Sequence, residues 1–332
     1  MKKDIHKVYT LAQGYVTAKV VLLAGEYELD KLITTDGIKT LKLAQYLNLN
    51  EEALKRFLRV LEAHEIISIV DGSVYRTELT EQLARVRTPH LMKAYQAFDE
   101  LEYMLKTHQP AWNKKFGQDF YSTLNQGELN QFSDWCRQSG HAWLGRLFEL
   151  YNFSAYQRIV DVAGAQGHLL GSLLKLHPHQ TGILFDLPLV VQKADMTLSN
   201  YDCLDRVGVV GGDFFQAVPE DGELYILCRT LLNWGDKDAI KILNVCARCM
   251  PQNAKLLIID FMLPPKSDPH YLRAVLNDLN LMANWNSLTR TKQEWLNLVD
   301  KSQLKVCKAV VSDSSLMPEL FAPMILVECQ NK

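Results

Sequence analysis

The chain of 332 residues has little that would commit it to a membrane, a secretory route or a nucleic acid. No apolar run reaches bilayer-spanning length, and the start Met1-Lys2-Lys3-Asp4-Ile5-His6 lacks the apolar core of a signal peptide. An intracellular, cytoplasmic protein is expected. Neither charge sign dominates: 36 Lys and Arg against 38 Asp and Glu leave −2, which gives no electrostatic drive toward polyanions. The seven cysteines (Cys136, Cys203, Cys228, Cys246, Cys249, Cys307 and Cys329) are odd in number and scattered, as reduced thiols are. Cys246-Ala-Arg-Cys249 has ligand spacing, but it falls in a helical pattern without a second ligand pair, so no metal site is expected. The dinucleotide fingerprint G-x-G-x-x-G is missing, and no P-loop lysine follows the one glycine turn that stands where such a motif would.

That turn lies in residues 158–186, around which the rest is organised. Ile159 to Ala163 is a short apolar run, the pattern of a strand buried on both faces. Gly164 and Gly167 bracket a tight turn, and an amphipathic helix with Leu169, Leu170, Leu173, Leu174 and Leu176 follows, stopped by Pro178. A second buried strand, Gly182 to Phe185, ends in Asp186, 25 residues after Asp161. Strand, glycine turn, helix and strand with an acid at its tip form a βαβ opening. Backbone without Cβ atoms lets a ligand come close, and the acid stands where a ribose-binding carboxylate belongs. With only Gly164-Ala-Gln-Gly167 present, the pocket suits a nucleoside carrying little or no phosphate. The alternative is an ordinary βα turn.

Before this unit, residues 8–33 read as helices and Thr40 to Leu47 as a short one. Asn50 is a candidate N-cap, with Glu51 and Glu52 favourable in the first turn of a helix to His64. Asp71-Gly72 between the apolar runs Ile66–Val70 and Ser73–Tyr75 signals a hairpin. Helix, turn, helix and wing make a winged helix. Lys55, Arg56 and Arg59 on its second helix invite a DNA-binding reading, but residues 1–100 carry 14 Lys and Arg against 14 Asp and Glu. Without a basic surplus the module is better read as one for dimerisation and substrate capping. Residues 90–150 are helical and rich in aromatics, which serve as core, interface or the wall of a pocket for a flat substrate. After Asp186, strands near 207–210, 224–227, 255–262, 304–312 and 321–329 alternate with helices until the last pair. The expected fold class is α/β, a doubly wound seven-stranded sheet with an antiparallel edge. The domains expected are 1–88, 89–150 (helical, lining the pocket) and 151–332.

On these features the chain resembles the S-adenosylmethionine-dependent O-methyltransferases of the plant caffeate and bacterial polyketide-tailoring type. The resemblance runs from the N-terminal winged-helix dimerisation domain, taken as all-helical, through the Rossmann-like sheet. Its marks are Asp161-Val-Ala-Gly-Ala-Gln-Gly167, Phe185-Asp-Leu-Pro188, Gly211-Gly-Asp-Phe-Phe215, Leu231-Leu-Asn-Trp-Gly-Asp236 with the helix after it, and Arg290-Thr291, five in order. The resemblance implies S-adenosylmethionine as cofactor, S-adenosylhomocysteine as product, a small aromatic or polyketide-like acceptor from secondary metabolism, and a homodimer. Neither nucleic acid nor membrane is an expected partner. It implies that Asp161, Gly164 and Gly167 border the methionine part and that Asp186, with Leu187, holds the ribose. Asp213 would accept from the adenine amino group, Phe214 would lie beside the ring, and Cys228 would also touch the cofactor. Asn233, Trp234, Asn277, Asn284 and Trp285 would meet the acceptor, on segments that also carry Tyr271 and Arg273.

The departures bear on mechanism. Ala163 and Ala165 replace glycines, which the loop tolerates if their φ angles are negative, and Cys228 replaces a lysine. The family's catalytic histidine is Leu232, the aspartate after it Asn233, and the glutamate that orients it Thr289. A further acid survives as Asp260. A phenol is a poor nucleophile until its proton leaves, so Asp260, His168, His141 and His270 become candidate replacement bases. Three readings follow. One is a methyltransferase working mainly by proximity, on O, N or C. The second keeps the cofactor for hydroxylation, decarboxylation or a pericyclic step. The third is a non-catalytic, ligand-sensing winged-helix protein. Intact cofactor positions favour the first two over the third; between those two the sequence is silent, and methyl transfer ranks first because the fold presents the methyl to the pocket whatever the base.

Overall fold

The computed structural model describes residues 6–192, 194–314 and 322–332, and their side chains apart from those of residues 89, 130 and 133–142. The chain divides into two compact units, Met1–Gln96 with Leu124–Trp135, and Ala97–Thr123 with Cys136–Lys332. Among the described residues no helix is long and apolar enough to cross a membrane.

In the first unit, the Asn50 side chain accepts from the Ala53 amide at 3.0 Å and starts the helix Glu51–Ala63, whose first turn carries Glu51 and Glu52. Its apolar spacing turns Leu54, Leu58 and Leu61 inward onto Leu43 and Ala44 of the helix Thr40–Leu47. Strands β1 (Ile38–Lys39), β2 (Ile67–Val70) and β3 (Ser73–Arg76) complete the wing. Asp71 and Gly72 both have positive φ, the backbone that a two-residue hairpin turn needs, and β2 pairs with β3 across them in the register Val70↔Ser73. β1 adds antiparallel to β3, so a three-stranded sheet joins the expected helices. Lys55, on the outer face of the helix, is held by Glu51 and Glu52 at 2.9 and 2.7 Å.

The second unit is built on β4 (Arg158–Val162), β5 (Thr181–Asp186), β6 (Val207–Gly211), β7 (Leu224–Cys228), β8 (Lys255–Leu263), β10 (Leu304–Val311) and β11 (Met324–Asn331). Their order is β10-β11-β8-β7-β4-β5-β6, with a two-residue β9 (Arg290–Thr291) beside β8. The pairs from β6 to β8 are parallel; β11 and β10 run antiparallel. Helices cover both faces, which is why the central strands read as unbroken apolar runs. Leu170, Leu173 and Leu174 of the helix His168–Leu176 pack with Ile159 and Leu184 on one face. Ile242, Leu243 and Cys246 of the helix Asp236–Cys249, with Trp295 and Leu298 of the helix Lys292–Asp300, cover Val160, Val162 and Leu227 on the other. Strand order reverses at β4, whose neighbours are β5 and β7. The carboxyl ends of these strands flank the crevice where open α/β sheets bind ligands.

Candidate functional site: a nucleoside crevice beside an aliphatic catalytic position

On the β4–β6 side, the chain leaves β4 at Val162 and reaches the helix His168–Leu176 through Ala163 to Gly167. Three of those residues are left-handed: Ala163 (φ 58°), Ala165 (φ 53°) and Gly167 (φ 85°). The condition of negative φ for the two alanines is therefore not met. The turn from strand to helix start demands that backbone, and it is held by Gly164 N–H on Phe185 O (3.3 Å) and Gly167 N–H on Gly164 O (2.9 Å). Each alanine accepts a strain of about 1 kcal/mol or more that glycine would not. Gly164 has no room for a side chain, because a Cβ there would lie 2.6 Å from the Asp161 carboxylate.

Asp186 stands at the tip of β5. Its Oδ2 accepts from Ala165 N–H at 2.8 Å and its Oδ1 from Leu187 N–H at 2.7 Å. Burial raises its pKa while these two amides oppose the shift. Two bonds fix the plane of a carboxylate that has about four acceptor positions, leaving one per oxygen for a vicinal diol. Asp161 is 1% exposed, and burial together with the Asp186 charge pushes its carboxyl up to about 7 against the Leu170 amide. Asp213 is exposed. Its Oδ1 accepts from Phe215 N–H at 2.8 Å, an Asx turn that leaves Oδ2 for another donor. Phe214 and Phe215 meet Trp234 edge-on, with centroids 6.0 and 4.9 Å away, so the structure groups Trp234 with the Asp213 corner. A tight turn with glycine at 164 and 167, a diol-ready carboxylate and an aromatic corner beside a second carboxylate fit an adenosyl group.

On the β7–β8 side, Cys228 ends β7, partly buried, and that burial raises its thiol pKa. It brings no positive charge where a lysine would. Leu231–Asn233 form a single 3-10 turn in which Leu232 is 8% exposed. Asp260, fully buried on β8, accepts from Leu232 N–H at 3.1 Å and Phe261 N–H at 2.8 Å. Burial pushes it up to about 7 against these amides and the cations Arg229 and Arg290. Both oxygens are engaged by backbone, so Asp260 positions the turn. In the sequence Arg290-Thr291 is a motif and no more. Arg290 is fully buried, with Nη1 on Leu231 O (3.1 Å), Nη2 on Trp234 O (2.7 Å), Nε on Asp236 (3.0 Å), and its guanidinium over the Trp295 ring. It braces the segment that carries Leu232.

The helix Tyr271–Trp285 contributes Asn277 and Asn284, seven residues apart and thus on one face. Asn277 Nδ2 and Asn284 Oδ1 are buried without a partner, as is Thr289 Oγ1 in the following loop, whose backbone N–H donates to Asp278 at 2.6 Å. Buried unpaired polar atoms are expensive unless something else completes them. Trp285 packs against Phe120 with centroids 4.5 Å apart. Asn233 is exposed and donates through Nδ2 to Arg229 O at 3.4 Å. Of the candidate bases, His168 pairs through Nδ1 with Tyr201 at 3.2 Å, and His270 is a buried helix N-cap 3.7 Å from Asp268. The His141 side chain lies outside the described residues. Among the described residues no group of His, Cys, Asp and Glu has the makings of a metal site.

The family described as O-methyltransferase domain matches residues 98–303. The chain is 29% identical to the O-demethylpuromycin-O-methyltransferase of Streptomyces alboniger, over 91% of this chain and 84% of that protein. It is 30% identical to the 3-amino-4-hydroxybenzoate 4-O-methyltransferase of Streptomyces cremeus, over 77% and 73%. Among solved structures it is similar to CalO1, a methyltransferase in calicheamicin biosynthesis, in its S-adenosylhomocysteine-bound form, with a TM-score of 0.78, 25% identity and 100% of both chains covered.

Proposed function

The chain belongs to the O-methyltransferase domain family, and from that premise we propose how its site works and on what. It is an S-adenosylmethionine-dependent methyltransferase. The observation that carries the site assignment is Asp186, locked by two amides beside a turn in which Gly164 cannot bear a Cβ. Asp186 holds the ribose hydroxyls and Asp213 Oδ2 the adenine amino group, with Phe214 and Trp234 as the ring's wall. Gly164, Gly167 and Asp161 border the methionine part, Leu187 lies with Asp186 at the ribose, and Cys228 also touches the cofactor. When bound, the cofactor supplies an electrophilic methyl on a sulfonium sulfur.

The acceptor is a small aromatic or polyketide-like molecule, like those in the names of the relatives, and its hydroxyl is the methylated group. Asn277, Asn284 and Thr289 complete their unpaired polar atoms on it. Leu232 cannot take a proton, and Asp260 is engaged by backbone. Catalysis therefore rests on alignment of nucleophile and methyl, without the roughly 10²–10⁴-fold that a positioned base contributes. Leu232→His tests this with labelled cofactor and a panel of neutral phenols. Turnover should rise at least tenfold on one of them, and no gain on any would mean that proton removal does not limit this site.

Residues 1–88 serve dimerisation, 89–150 line the acceptor pocket and 151–332 bind the cofactor. The homodimer forms through the N-terminal helices, where Val8, Tyr9, Leu11 and Tyr15 stand 65–79% exposed, an apolar face suited to a second copy. Light scattering at twice the chain mass is the expected result. Cytoplasmic residence suits the unpaired state of the six cysteines whose side chains are described.

A further inference from the structure

Arg229 stands at the carboxyl end of β7. It follows β7 directly, in left-handed backbone (φ 53°) that a long side chain adopts only under constraint. That backbone is pinned by Arg229 N–H on Ile259 O at 2.7 Å and by Asn233 Nδ2 on Arg229 O at 3.4 Å. The guanidinium lies over the Phe261 ring, 5.3 Å from its centroid, and its Nε is buried without a partner. Among the described residues Arg229 has no hydrogen-bonded carboxylate. The nearby acid Asp260 gives both oxygens to backbone amides, one of them that of Leu232. A half-buried cation with an unfilled donor thus stands three residues from the position where a catalytic base would be, and that position is aliphatic.

We propose that Arg229 binds the acceptor as an anion, holding an acidic phenol in its ionised form, so that a fixed positive charge takes over the task of the absent base. This rests on the methyltransferase reading and narrows its acceptor class. A cation in a partly desolvated site lowers the pKa of a bound phenol because it favours the charged form. The phenol proton leaves to solvent before transfer. A lone pair of the phenolate oxygen then forms the O–C bond as the C–S bond breaks, its electron pair going to sulfur, and an anion and a sulfonium become two neutral products. Neutral alcohols and weakly acidic phenols are excluded, since an arginine accepts no proton.

The test uses the full chain saturated with S-adenosylhomocysteine, which is uncharged at sulfur, so that any electrostatic effect comes from the protein. The probe is 4-nitrophenol, whose phenolate is coloured, titrated with pH by absorbance in wild type, Arg229→Gln and Arg229→Lys. The expected result is a bound pKa lowered by about one unit in wild type, a tenfold gain in ionisation. Arg229→Gln should return it to the solution value or above, and Arg229→Lys should restore part of the shift. Equal titrations in wild type and Arg229→Gln, or a probe that binds wild type only as the neutral phenol or not at all, would overturn the proposal. Retained S-adenosylhomocysteine binding in each protein keeps the methyltransferase reading and the fold intact in those outcomes; its loss in wild type would instead fail that reading.

Discussion

On the β4–β6 side of the crevice the polar groups stand with their backbone supports in place: Asp186 on two amides, Asp213 in its Asx turn, Gly164 against Asp161. On the β7–β8 side the supports are equally complete. Arg290 braces Leu231 and Trp234, and Asp260 takes the Leu232 amide, yet the side chains they present are Leu232, Asn233 and Thr289. The difference teaches that a binding frame and its proton chemistry are separable. The frame is made of backbone hydrogen bonds and buried charge, which a changed side chain at position 232 leaves untouched. The chemistry resides in two or three side-chain atoms.

The sharpest way to break this contrast is Asp186→Ala. Removing two charge-assisted bonds to the ribose should weaken S-adenosylhomocysteine by about 10²–10⁴-fold, while Leu232→Ala should leave it within about threefold by the same calorimetry. Equal affinity in Asp186→Ala would put the cofactor elsewhere. Next in size is Arg290→Ala, which strips a buried cation from three carbonyl or carboxylate partners and should lower unfolding free energy by about 3–5 kcal/mol in denaturant titration. A loss under about 1 kcal/mol would remove the brace from the β7–β8 frame. A pH titration of stability probes both sides, since Asp161 and Asp260 are each pushed up to about 7, and substitution separates their shares. Asp161, pushed up to about 7, binds its proton more tightly folded than unfolded. Its contribution is therefore full below about pH 4 and is lost as pH rises toward 7, by up to about 1.4 kcal/mol per unit. Asp161→Asn should flatten that decline, and an unchanged slope would mean the carboxyl is already ionised at pH 5. The smallest effects belong to the loop. Ala163→Gly and Ala165→Gly should each gain about 0.5–1 kcal/mol by relieving left-handed strain, read as a higher Tm; a lower Tm would show that the alanine methyls pack usefully.

The centre of the sheet was legible because strands covered on both faces write themselves as apolar runs, and β4, β5, β7 and β8 appear within about two residues of where those runs end; β6, mostly exposed at the sheet's edge, was legible from its valines alone. Asp186 was legible for a local reason: an acid directly after such a run has nowhere to sit but the strand tip. The left-handed loop was not. Alanine gives no sign of positive φ, and only the bonds to Phe185 and Asp186, more than twenty residues away, impose it. Arg290 was readable as a motif but not as a brace, since its partners lie 54 to 59 residues earlier and its burial depends on Trp295. Trp234 was placed with the acceptor by resemblance, whereas its edge contacts with Phe214 and Phe215 arise only when β6 and β7 bring two loops together. Arg229 was not legible, because an arginine after a strand reads as a surface charge; its strained backbone and unpaired Nε exist only in three dimensions.

The most direct measurement is a calorimetric titration of the full chain with S-adenosylmethionine and with S-adenosylhomocysteine. Saturable binding of both at one per chain is the expected result, and it would stand with Leu232 and Thr289 in place. No heat with either ligand would contradict it, and would mean that Ala163, Ala165 and Cys228 have closed the crevice.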